Sequence, residues 1–225
     1  MSRPLKISLW ILVALLVLGA LSPFALFYGA RAYYEPGLPE VASLRDLELE
    51  VPLRIYTRDE KLIGEFGAEK REPLSFEQIP QKLVDAFLAS EDDRFFEHPG
   101  VDRQGLLRAA AKLVLTGEKS QGGSTITMQL ARNVFLSSER SYERKIREIL
   151  LALRIEREMS KEEILETYLN KIFLGQRAYG VGAASRVYFD REPGQLDWSQ
   201  AALLAGLPKA PSRDNPVASP ERAMD

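Results

Sequence analysis

The densest polar cluster of the chain runs from Glu91 to Gly100 and contains its one histidine, His98. The cluster follows an apolar segment with helical spacing, which places Glu91 at or near a helix end beside a core. A carboxylate in that position can have a raised pKa and accept a proton from a substrate. Taken alone, the segment is better explained as a solvated acidic turn, because such turns are common. His98 taken alone is better explained as a structural group that orients the loop through a hydrogen bond.

A second polar segment, Gly122–Asn133, begins with two glycines and continues as an amphipathic helix. Ser124 or Thr125 can cap that helix. Thr125, Gln129 and Arg132 fall on one face of it, and a polar face that begins at a helix N-terminus can hold an anionic group. The alternative is a helix whose polar side only meets water. No Gly-Lys-Ser/Thr follows the glycines, so the segment is not a P-loop.

In the third polar segment, Arg144 and Lys145 precede Glu148 by four and three residues. At this spacing on a helix they would form surface ion pairs worth about a few tenths of a kcal/mol. The functional alternative is that the basic pair neutralises a phosphate while Glu148 orients a sugar or a cation. Spacing alone leaves both interpretations open.

Apolar periodicity predicts the elements that position these groups. The three predicted helix faces are Leu83, Ala86, Phe87 and Ser90; Ile146, Ile149, Leu150 and Leu153; and Ile164, Leu165, Tyr168, Leu169 and Ile172, the last stopped at Gly175. A short buried helix is predicted over Trp198–Leu207, before Pro208. Upstream, Leu49–Tyr56 alternates like a half-buried strand, with Lys61–Phe66 as its hairpin partner. From about Phe76 the chain is therefore predicted to be mainly α.

The N-terminal segment Ile7–Ala30 contains no charged residue over 24 positions. As a helix it would be about 36 Å long, against a hydrocarbon core of about 30 Å, which predicts a transmembrane anchor with a cytoplasmic N-terminus. The alternative is a signal peptide cleaved near Ala30-Arg31-Ala32, for which the apolar run is too long. Tyr33–Leu44 is predicted to be a connector. The expected organisation is 1–31 for cytoplasmic tip and anchor, 32–74 for connector and β-hairpin, and 75–225 for the main domain.

The composition excludes several kinds of site. Because the chain has no cysteine, it has no disulfide, thiolate metal site or cysteine nucleophile. A single histidine excludes a two-histidine metal site. The formal net charge of -2 gives no overall attraction to nucleic acid. No organic cofactor is expected.

Taken together, five ordered blocks resemble the family 51 glycosyltransferases, the domain of class A penicillin-binding proteins and of monofunctional peptidoglycan transglycosylases. The matching residues are Glu91, Asp92, Phe95, His98 and Gly100; Gly122–Thr127, Gln129, Leu130 and Asn133; Arg144, Lys145 and Glu148; Ile164–Glu166, Tyr168–Asn170, Gly175, Gly180, Tyr188 and Phe189; and Ala205–Ser212. They cover most of residues 87–220. In two departures, Met128 stands where many members have Gln, and Arg132 stands where others have Lys.

The resemblance implies a role for the matching residues. Glu91 would be the catalytic base, and Glu148 a second essential carboxylate. The implied substrate-binding residues are Asp92, Phe95, His98, Ser124, Thr125, Gln129, Arg132, Asn133, Arg144, Lys145 and Lys209. A divalent cation, Mg²⁺ or Mn²⁺, near Glu148 is left open. The implied fold is a mainly α, lysozyme-like, two-lobed glycosyltransferase domain with a small β-hairpin near the membrane and one N-terminal transmembrane helix.

The reaction that the resemblance implies is polymerisation of lipid II into β-1,4 glycan strands, with inversion and release of undecaprenyl pyrophosphate. The expected partners are lipid II, the lipid-linked glycan chain, the membrane and other cell-wall synthesis proteins, but not nucleic acid. The catalytic domain would lie on the periplasmic side of the bacterial inner membrane. Because no Ser-x-x-Lys, Ser-x-Asn or Lys-Thr-Gly motif occurs, the chain is expected to stop before a transpeptidase domain. A lysozyme-like glycan hydrolase and an inactive membrane-anchored scaffold stay open as alternatives.

Overall fold

The computed structural model describes residues 3–44, 52–117, 123–136, 139 and 141–223. As predicted, the described chain is mainly α-helical with little sheet. The helices are α1 (Arg3–Tyr34), α2 (Gln81–Glu91), α3 (Arg103–Thr116), α4 (Ile126–Phe135), α5 (Tyr142–Glu158), α6 (Lys161–Lys171), α7 (Val181–Phe189), α8 (Trp198–Gly206) and α9 (Pro220–Ala223). The strands are β1 (Leu53–Tyr56), β2 (Leu62–Phe66), β3 (Lys70–Arg71) and β4 (Ala178–Tyr179). Gly122 and the first residues of the predicted strand Leu49–Tyr56 lie outside the described residues.

Helices α2 and α4–α8 enclose one apolar core. The predicted face of α6 is confirmed, since all five of its residues are buried. On α2, Leu83 and Phe87 are fully buried as predicted, and the Ser90 hydroxyl donates to the Ala205 carbonyl of α8 at 3.0 Å. Helix α8 forms where it was predicted, but Trp198 at its start is 59% exposed. The core side of α8 consists of alanine and leucine residues instead.

The predicted face of helix α5 is confirmed in part, because Leu150 is buried in the apolar core and Ile146 packs against it. The fully buried apolar residues of α5 are Leu151, Ala152 and Ile155. Glu148 lies on the same face and is buried with them. Two of the predicted residues, Leu150 and Leu153, line a small crevice with Leu38 beside the end of α1. Apolar periodicity missed that the core face also includes Leu151, Ala152 and Ile155, because that stripe contains the charged residue Glu148.

The predicted connector Tyr33–Leu44 is packed against the domain. Helix α1 extends to Tyr34, and two 3₁₀ turns follow it. Leu38, Val41 and Leu44 are all buried and belong to the same apolar cluster as α5 and α6. The apolar residues at these positions therefore fix the segment on the helical core, and its prolines and glycine only shape the turns.

The predicted β-hairpin is present. Strands β1 and β2 pair antiparallel, with Leu53 opposite Phe66 and Arg54 opposite Glu65. The Thr57 hydroxyl accepts the Lys61 amide hydrogen at 2.9 Å and closes the turn. The prediction that β1 is half-buried is wrong, because Leu53 is 65% exposed. Strand pairing, and not burial of the alternating apolar residues, holds these two strands together.

Helix α1 spans 32 residues and contains Pro23. Several of its apolar side chains are exposed, among them Trp10, Leu18 and Leu26. Within the described ranges, no helix has the length and apolarity that crossing a membrane requires. The predicted transmembrane helix is thus not supported by the structure.

A set of hydrogen bonds attaches the segment before α2 to α6. The side chain of Asn170 accepts the Leu74 amide hydrogen at 2.9 Å and donates to the Leu74 carbonyl at 2.7 Å. Arg71, whose side chain is buried, donates to the Asn170 carbonyl at 3.3 Å. Its guanidinium also lies 4.5 Å from the centre of the Tyr179 ring. Strand β3 pairs in parallel with β4 at the same place, so the early segment is fixed on the helical core.

Candidate active site

Glu91 is the last residue of α2, and its half-buried carboxylate meets Gln129 of α4. Gln129 Nε2 donates a hydrogen bond to Glu91 Oε2 at 2.6 Å. In the described part of the chain no group donates to the other oxygen, Oε1, so this oxygen can accept a proton. Burial raises the pKa of Glu91 above its ordinary 4.5; the hydrogen bond from Gln129 and the charge of Arg132 oppose this shift, and Asp92 adds to it. The pKa of Glu91 is therefore raised overall, which suits a general base.

Asp92, the next residue, is turned into the protein. His98 Nε2 lies 2.9 and 3.1 Å from its two oxygens, and the backbone N–H of Ile126 donates to it at 3.0 Å. Because Ile126 begins α4, this contact places a negative charge at the helix N-terminus, where it is favoured. Phe95 packs edge-on against His98, with ring centres 6.3 Å apart. The hydrogen bond expected of His98 is therefore present, and these three loop residues lie beneath Glu91.

The loop that carries Asp92 and His98 is also fixed from its far end. Thr125 caps α4 by accepting the Met128 amide hydrogen at 3.2 Å, and its hydroxyl donates to the Gly100 carbonyl at 2.6 Å. Gly100 has φ +89°, and a Cβ there would lie 2.9 Å from a backbone carbonyl oxygen of α5. Only glycine allows this close approach. Lys161 of α6 donates to the His98 carbonyl at 2.7 Å.

Glu148 occupies a different environment from Glu91. Its side chain is 1% exposed, and its two oxygens accept hydrogen bonds from Arg144 and, at 3.0 Å, from Lys145. Lys145 also donates to the Ser124 hydroxyl at 2.8 Å. The interpretation of these residues as an ordinary surface ion pair is wrong, because Glu148 is buried. Arg144, Lys145 and Glu148 together are called the Glu148 cluster. Ser124 connects this cluster to the surroundings of Glu91.

An open cleft of about 480 Å³ lies beside Glu91. Its lining residues are Ser90, Glu91, Gly123, Ser124, Gln129, Arg132, Gly206, Pro208 and Lys209. Arg132 from α4 and Lys209 from the turn after α8 therefore bring positive charge to the space that Glu91 faces. An adjoining hollow between α2 and α3 shares Glu91 in its lining. Another hollow shares Gln129 and Arg132 and includes Asn133.

The structure thus brings together only part of the predicted set. Glu91, Ser124, Gln129, Arg132 and Lys209 line one cleft, and Asn133 lines the hollow next to it. The predicted residues Asp92, Phe95, His98 and Thr125 are buried, and Asp92 and Thr125 also line the adjoining hollow. Arg144 and Lys145 surround Glu148 instead of lining the cleft.

The two departures from the family pattern have different consequences. Met128 is 2% exposed and packs inside the protein. The methionine in place of a glutamine at this position therefore changes the packing of the protein interior at α4. Arg132 lines the cleft, so the exchange of lysine for arginine there places a planar, bidentate cation beside Glu91.

A divalent cation near Glu148 would need carboxylate oxygens that are free to coordinate it. Both oxygens of Glu148 are engaged by Arg144 and Lys145, so the residues in this arrangement do not fit such an ion. Over the ranges that the structure describes, no group of three or more histidine or acidic side chains could hold a metal. The cation stays a prediction, and no step proposed below depends on it.

Sequence reasoning placed Tyr168 in the core and missed its contact with the site. The Tyr168 hydroxyl donates to Gln129 Oε1 at 3.3 Å. A tyrosine within an otherwise aliphatic helix face is a signal for such a contact, because a buried hydroxyl needs a partner. Glu156 was also missed: it accepts hydrogen bonds from Thr127 at 2.5 Å and from Lys161 at 2.8 Å. Nothing in the sequence indicates that contact, since it joins three different helices.

Comparison with known proteins identifies the family of this chain. The transglycosylase family model matches residues 59–225. Penicillin-binding protein 1A of Escherichia coli K12 is 52% identical over 219 residues, which are 97% of this chain and 25% of that protein. Penicillin-binding protein 1A of Pseudomonas aeruginosa is 51% identical over 223 residues, which are 99% of this chain and 27% of that protein.

Among solved structures, the 2.6 Å crystal structure of penicillin-binding protein 1A from Haemophilus influenzae is 34% identical. The match covers 79% of this chain and 17% of that one, with a TM-score of 0.40. This chain spans about a quarter of the length of the two relatives above. The family match covers all five sequence blocks and most of the described residues, and the chain belongs to the transglycosylase family.

Proposed function

We propose that this domain is a peptidoglycan glycosyltransferase that polymerises lipid II into β-1,4 glycan strands, with inversion and release of undecaprenyl pyrophosphate. The observation that carries the proposal is the environment of Glu91. Its carboxylate has a raised pKa, one oxygen held by Gln129 and one free, and it shares an open cleft with two cations. Membership of the transglycosylase family and the identity with two penicillin-binding proteins 1A support the same reaction.

Glu91 would act as the general base. The 4-hydroxyl of the acceptor sugar is a weak nucleophile while it keeps its proton. As its oxygen forms a bond to the anomeric carbon of the donor, its proton passes to Glu91 Oε1. On the opposite face of the donor sugar, the bond from the anomeric carbon to the pyrophosphate oxygen breaks, and the leaving group takes the electron pair. A single displacement of this kind converts an α-linked donor into a β-linked product.

The cations of the cleft would stabilise the leaving group. Negative charge accumulates on the pyrophosphate as its bond to the sugar breaks, and positioned cations lower the energy of that state most where water is limited. Arg132 and Lys209 line the cleft, and an arginine can contact two phosphate oxygens at once. They are the residues we propose for this role.

The Glu148 cluster would act by positioning. Its carboxylate is buried and bonded to two cations, so it does not face the reacting atoms. It holds Lys145 in place, and Lys145 in turn holds the Ser124 hydroxyl at the cleft wall. We propose that Glu148 is essential because it fixes this wall.

The substrates carry lipid tails, and we propose that the domain works on the periplasmic face of the inner membrane. Helix α3, which flanks the hollow next to Glu91, exposes Leu107, Val114 and Leu115. Exposed apolar residues on a helix that also carries Arg103 and Arg108 suit contact with an anionic lipid surface. The exposed apolar residues of α1 support the same contact.

The same proposal covers the fold and the domain organisation of the chain. With α3 on one side of Glu91 and the helical core on the other, the described residues suit a two-lobed, lysozyme-like arrangement. We propose 75–225 as the catalytic domain, 32–74 as the segment fixed on it, and 1–31 as a membrane anchor with its tip in the cytoplasm. Contacts with other cell-wall synthesis proteins are part of the proposal as well.

The deciding experiment is turnover of purified lipid II by this chain in detergent and in vesicles. The wild type is expected to form glycan polymer, and Glu91→Gln to form none while keeping its fold. The matched control is Glu97→Gln, because Glu97 lies in the same acidic loop, is exposed and pairs with Arg94. Polymer formation by Glu91→Gln at the wild-type rate would refute the role of Glu91. Release of muropeptides from purified sacculi, without polymer formation, would favour a hydrolase instead.

A further inference from the structure

The hydroxyl of Tyr168 lies on the interior side of the site. Tyr168 is fully buried in α6, and its ring packs edge-on against Phe87 of α2, with centres 6.4 Å apart. Phe87 lies one helical turn before Glu91 on the same helix. From this position the hydroxyl donates to Gln129 Oε1 at 3.3 Å, while the amide nitrogen of the same side chain donates to Glu91 Oε2 at 2.6 Å. The three side chains form a chain of hydrogen bonds from the core to the cleft.

The geometry points to Tyr168 as a positioning residue for the proposed reaction: it tethers the carbonyl end of the Gln129 amide so that the amide nitrogen holds one oxygen of Glu91 and leaves the other free. This inference rests on the proposed function of Glu91. Tyr168 does not touch substrate, since it has no exposed surface. It acts through Gln129, whose own side chain is 7% exposed.

The chemistry of each group requires this direction of hydrogen bonding while Glu91 is ionised. An ionised carboxylate only accepts hydrogen bonds, so the NH₂ group of Gln129 must face it and the amide oxygen must face away. That oxygen is then buried, and it needs a donor to avoid the cost of an unpaired polar group. Burial, and secondarily the charge of Glu91, raise the pKa of Tyr168 well above 10. The hydroxyl therefore keeps its proton and remains a donor at neutral pH.

The tether can be removed with little change of shape by Tyr168→Phe. Without the hydroxyl, the Gln129 amide is free to turn, and its hydrogen bond to Glu91 is made for only part of the time. We expect kcat for lipid II to fall about tenfold, the equivalent of one hydrogen bond, while KM changes little. The matched control is Tyr188→Phe, because the half-buried Tyr188 hydroxyl also donates one hydrogen bond, to the Leu174 carbonyl at 2.7 Å, but away from Glu91.

A pH profile separates positioning from a purely structural role. The hydrogen bond from Gln129 opposes the upward shift of the Glu91 pKa, so its loss should move the acidic limb of the kcat profile to higher pH. The charged and titratable groups around Glu91 are Asp92 and Asp93 beside it, Asp102 and Arg108 across the adjoining hollow, Arg132 of α4, Lys209 after α8, and Tyr168 itself. Tyr168→Phe leaves the first six unchanged.

The double variant tests whether Tyr168 acts through Gln129. In a Gln129→Ala background, Tyr168→Phe is expected to cause no further loss of kcat and no further shift of the acidic limb. Additive effects in the double variant would overturn the inference. So would a Tyr168→Phe protein whose only change is a lower melting temperature, as expected of Tyr188→Phe.

A measurement without substrate keeps this inference separate from the proposed reaction. The carboxyl carbon of Glu91 can be titrated by ¹³C NMR in the wild type, Tyr168→Phe and Tyr188→Phe. A higher Glu91 pKa in Tyr168→Phe alone supports the tether even if lipid II proves not to be the substrate, whereas equal values in all three refute it. If Tyr168→Phe does not fold, the wild type decides: an exchange-protected hydroxyl proton of Tyr168 close to the Gln129 amide supports the tether, and a rapidly exchanging one refutes it.

Discussion

At the scale of single residues, Glu91 and Asp92 are neighbours in the chain with opposite environments. Glu91 ends α2 beside an open cleft, and burial raises its pKa. Asp92 is buried and accepts hydrogen bonds from His98 and from the first amide of α4. A carboxylate with few donors is suited to take a proton, and one with several donors is suited to hold structure. The helix end between them turns the two side chains into different surroundings.

The raised pKa of Glu91 has a consequence for stability. A carboxyl whose pKa is higher in the folded state than in the unfolded state stabilises the fold at low pH. This stabilisation is fully present below the unfolded pKa, about 4.5, and is lost as the pH rises through the folded pKa. The charged form is therefore a cost at neutral pH. We expect Glu91→Gln to melt at a higher temperature than the wild type at pH 7, with the difference shrinking as the pH falls through the raised folded pKa and smallest below about 4.5.

Differential scanning calorimetry across this pH range is the measurement for Glu91→Gln. Glu97→Gln serves as control, because Glu97 lies in the same acidic loop and its carboxylate is exposed. A Glu91→Gln protein that is less stable than the wild type at pH 7 would contradict the assigned direction of the shift.

At the scale of elements, α4 contributes Gln129 and Arg132 to the cleft, and α5 carries the Glu148 cluster behind Ser124. Thr125 both caps α4 and holds the loop after α2, so the start of one helix fixes the end of another. On α5, Glu148 lies three residues before Leu151 and seven before Ile155, in the stripe that faces the core. A charged residue can lie there only because Arg144 and Lys145 supply it with hydrogen bonds.

Removal of the Thr125 hydroxyl should cost more than the loss of a simple helix cap. Thr125→Val removes the cap of α4 and the bond to Gly100, so we expect a loss of about 1–3 kcal/mol in the free energy of unfolding. The comparison is Ser160→Ala, which removes the exposed cap of α6 and should cost about 1 kcal/mol. Urea denaturation gives both values. Lipid II turnover should fall with Thr125→Val and not with Ser160→Ala, and equal effects of the two would contradict the role of the Gly100 contact.

Neutralising Glu148 should destabilise the protein, unlike neutralising a surface acid on the same helix. Glu148→Gln leaves Arg144 and Lys145 without their counter-charge beside the core. We expect the free energy of unfolding to fall by about 2–4 kcal/mol and lipid II turnover to be lost. Glu143→Gln is the matched control, because Glu143 pairs with Arg147 at the same i,i+4 spacing but is 55% exposed. It should cost less than about 0.5 kcal/mol. Similar unfolding midpoints in urea for the two variants would show that burial of Glu148 is not important.

At the scale of the whole molecule, hydrogen bonds to α6 join distant parts of the chain. Asn170 bonds both backbone groups of Leu74, and Glu166 accepts the Phe76 amide hydrogen at 2.7 Å. These contacts span more than 85 positions of sequence. They attach the segment that follows the hairpin to α6, the helix that also carries Tyr168. This segment and the site are therefore supported by the same helix.

Loss of the Asn170 side chain should release the early segment before the core unfolds. Asn170→Ala removes the side-chain partner of the Leu74 amide and carbonyl, and we expect the free energy of unfolding to fall by about 1–3 kcal/mol. Limited proteolysis should then cut within residues 52–74 faster than in the wild type. Thr167→Val is the control, because the Thr167 hydroxyl donates to the Glu163 carbonyl within α6 itself. Unchanged cleavage in Asn170→Ala would show that other contacts hold the segment.

Part of the fold and site could be predicted from the sequence, and the reason lies in periodicity. The apolar face of α6 repeats at helical spacing, and the hairpin alternates, so local pattern indicates both correctly. The same method found only part of the core face of α5 and described Tyr33–Leu44 as a connector, because apolar spacing alone does not show which other segments pack against those residues. It placed Tyr168 in the core but did not give its contact with Gln129, and it missed Glu156, because both contacts cross between helices.

The sequence by itself determined the chemistry that is available: no cysteine, one histidine, and five blocks of residues in the order of the transglycosylase family. Glu91 and Glu148 looked alike at that level, since both are acids beside basic or polar neighbours. Only the tertiary structure decided that Glu91 faces an open cleft with one free oxygen and that Glu148 is buried between two cations. The physical reason is that the free energy of a charge depends on the groups and water around it, and those surroundings come from helices that are far apart in the chain.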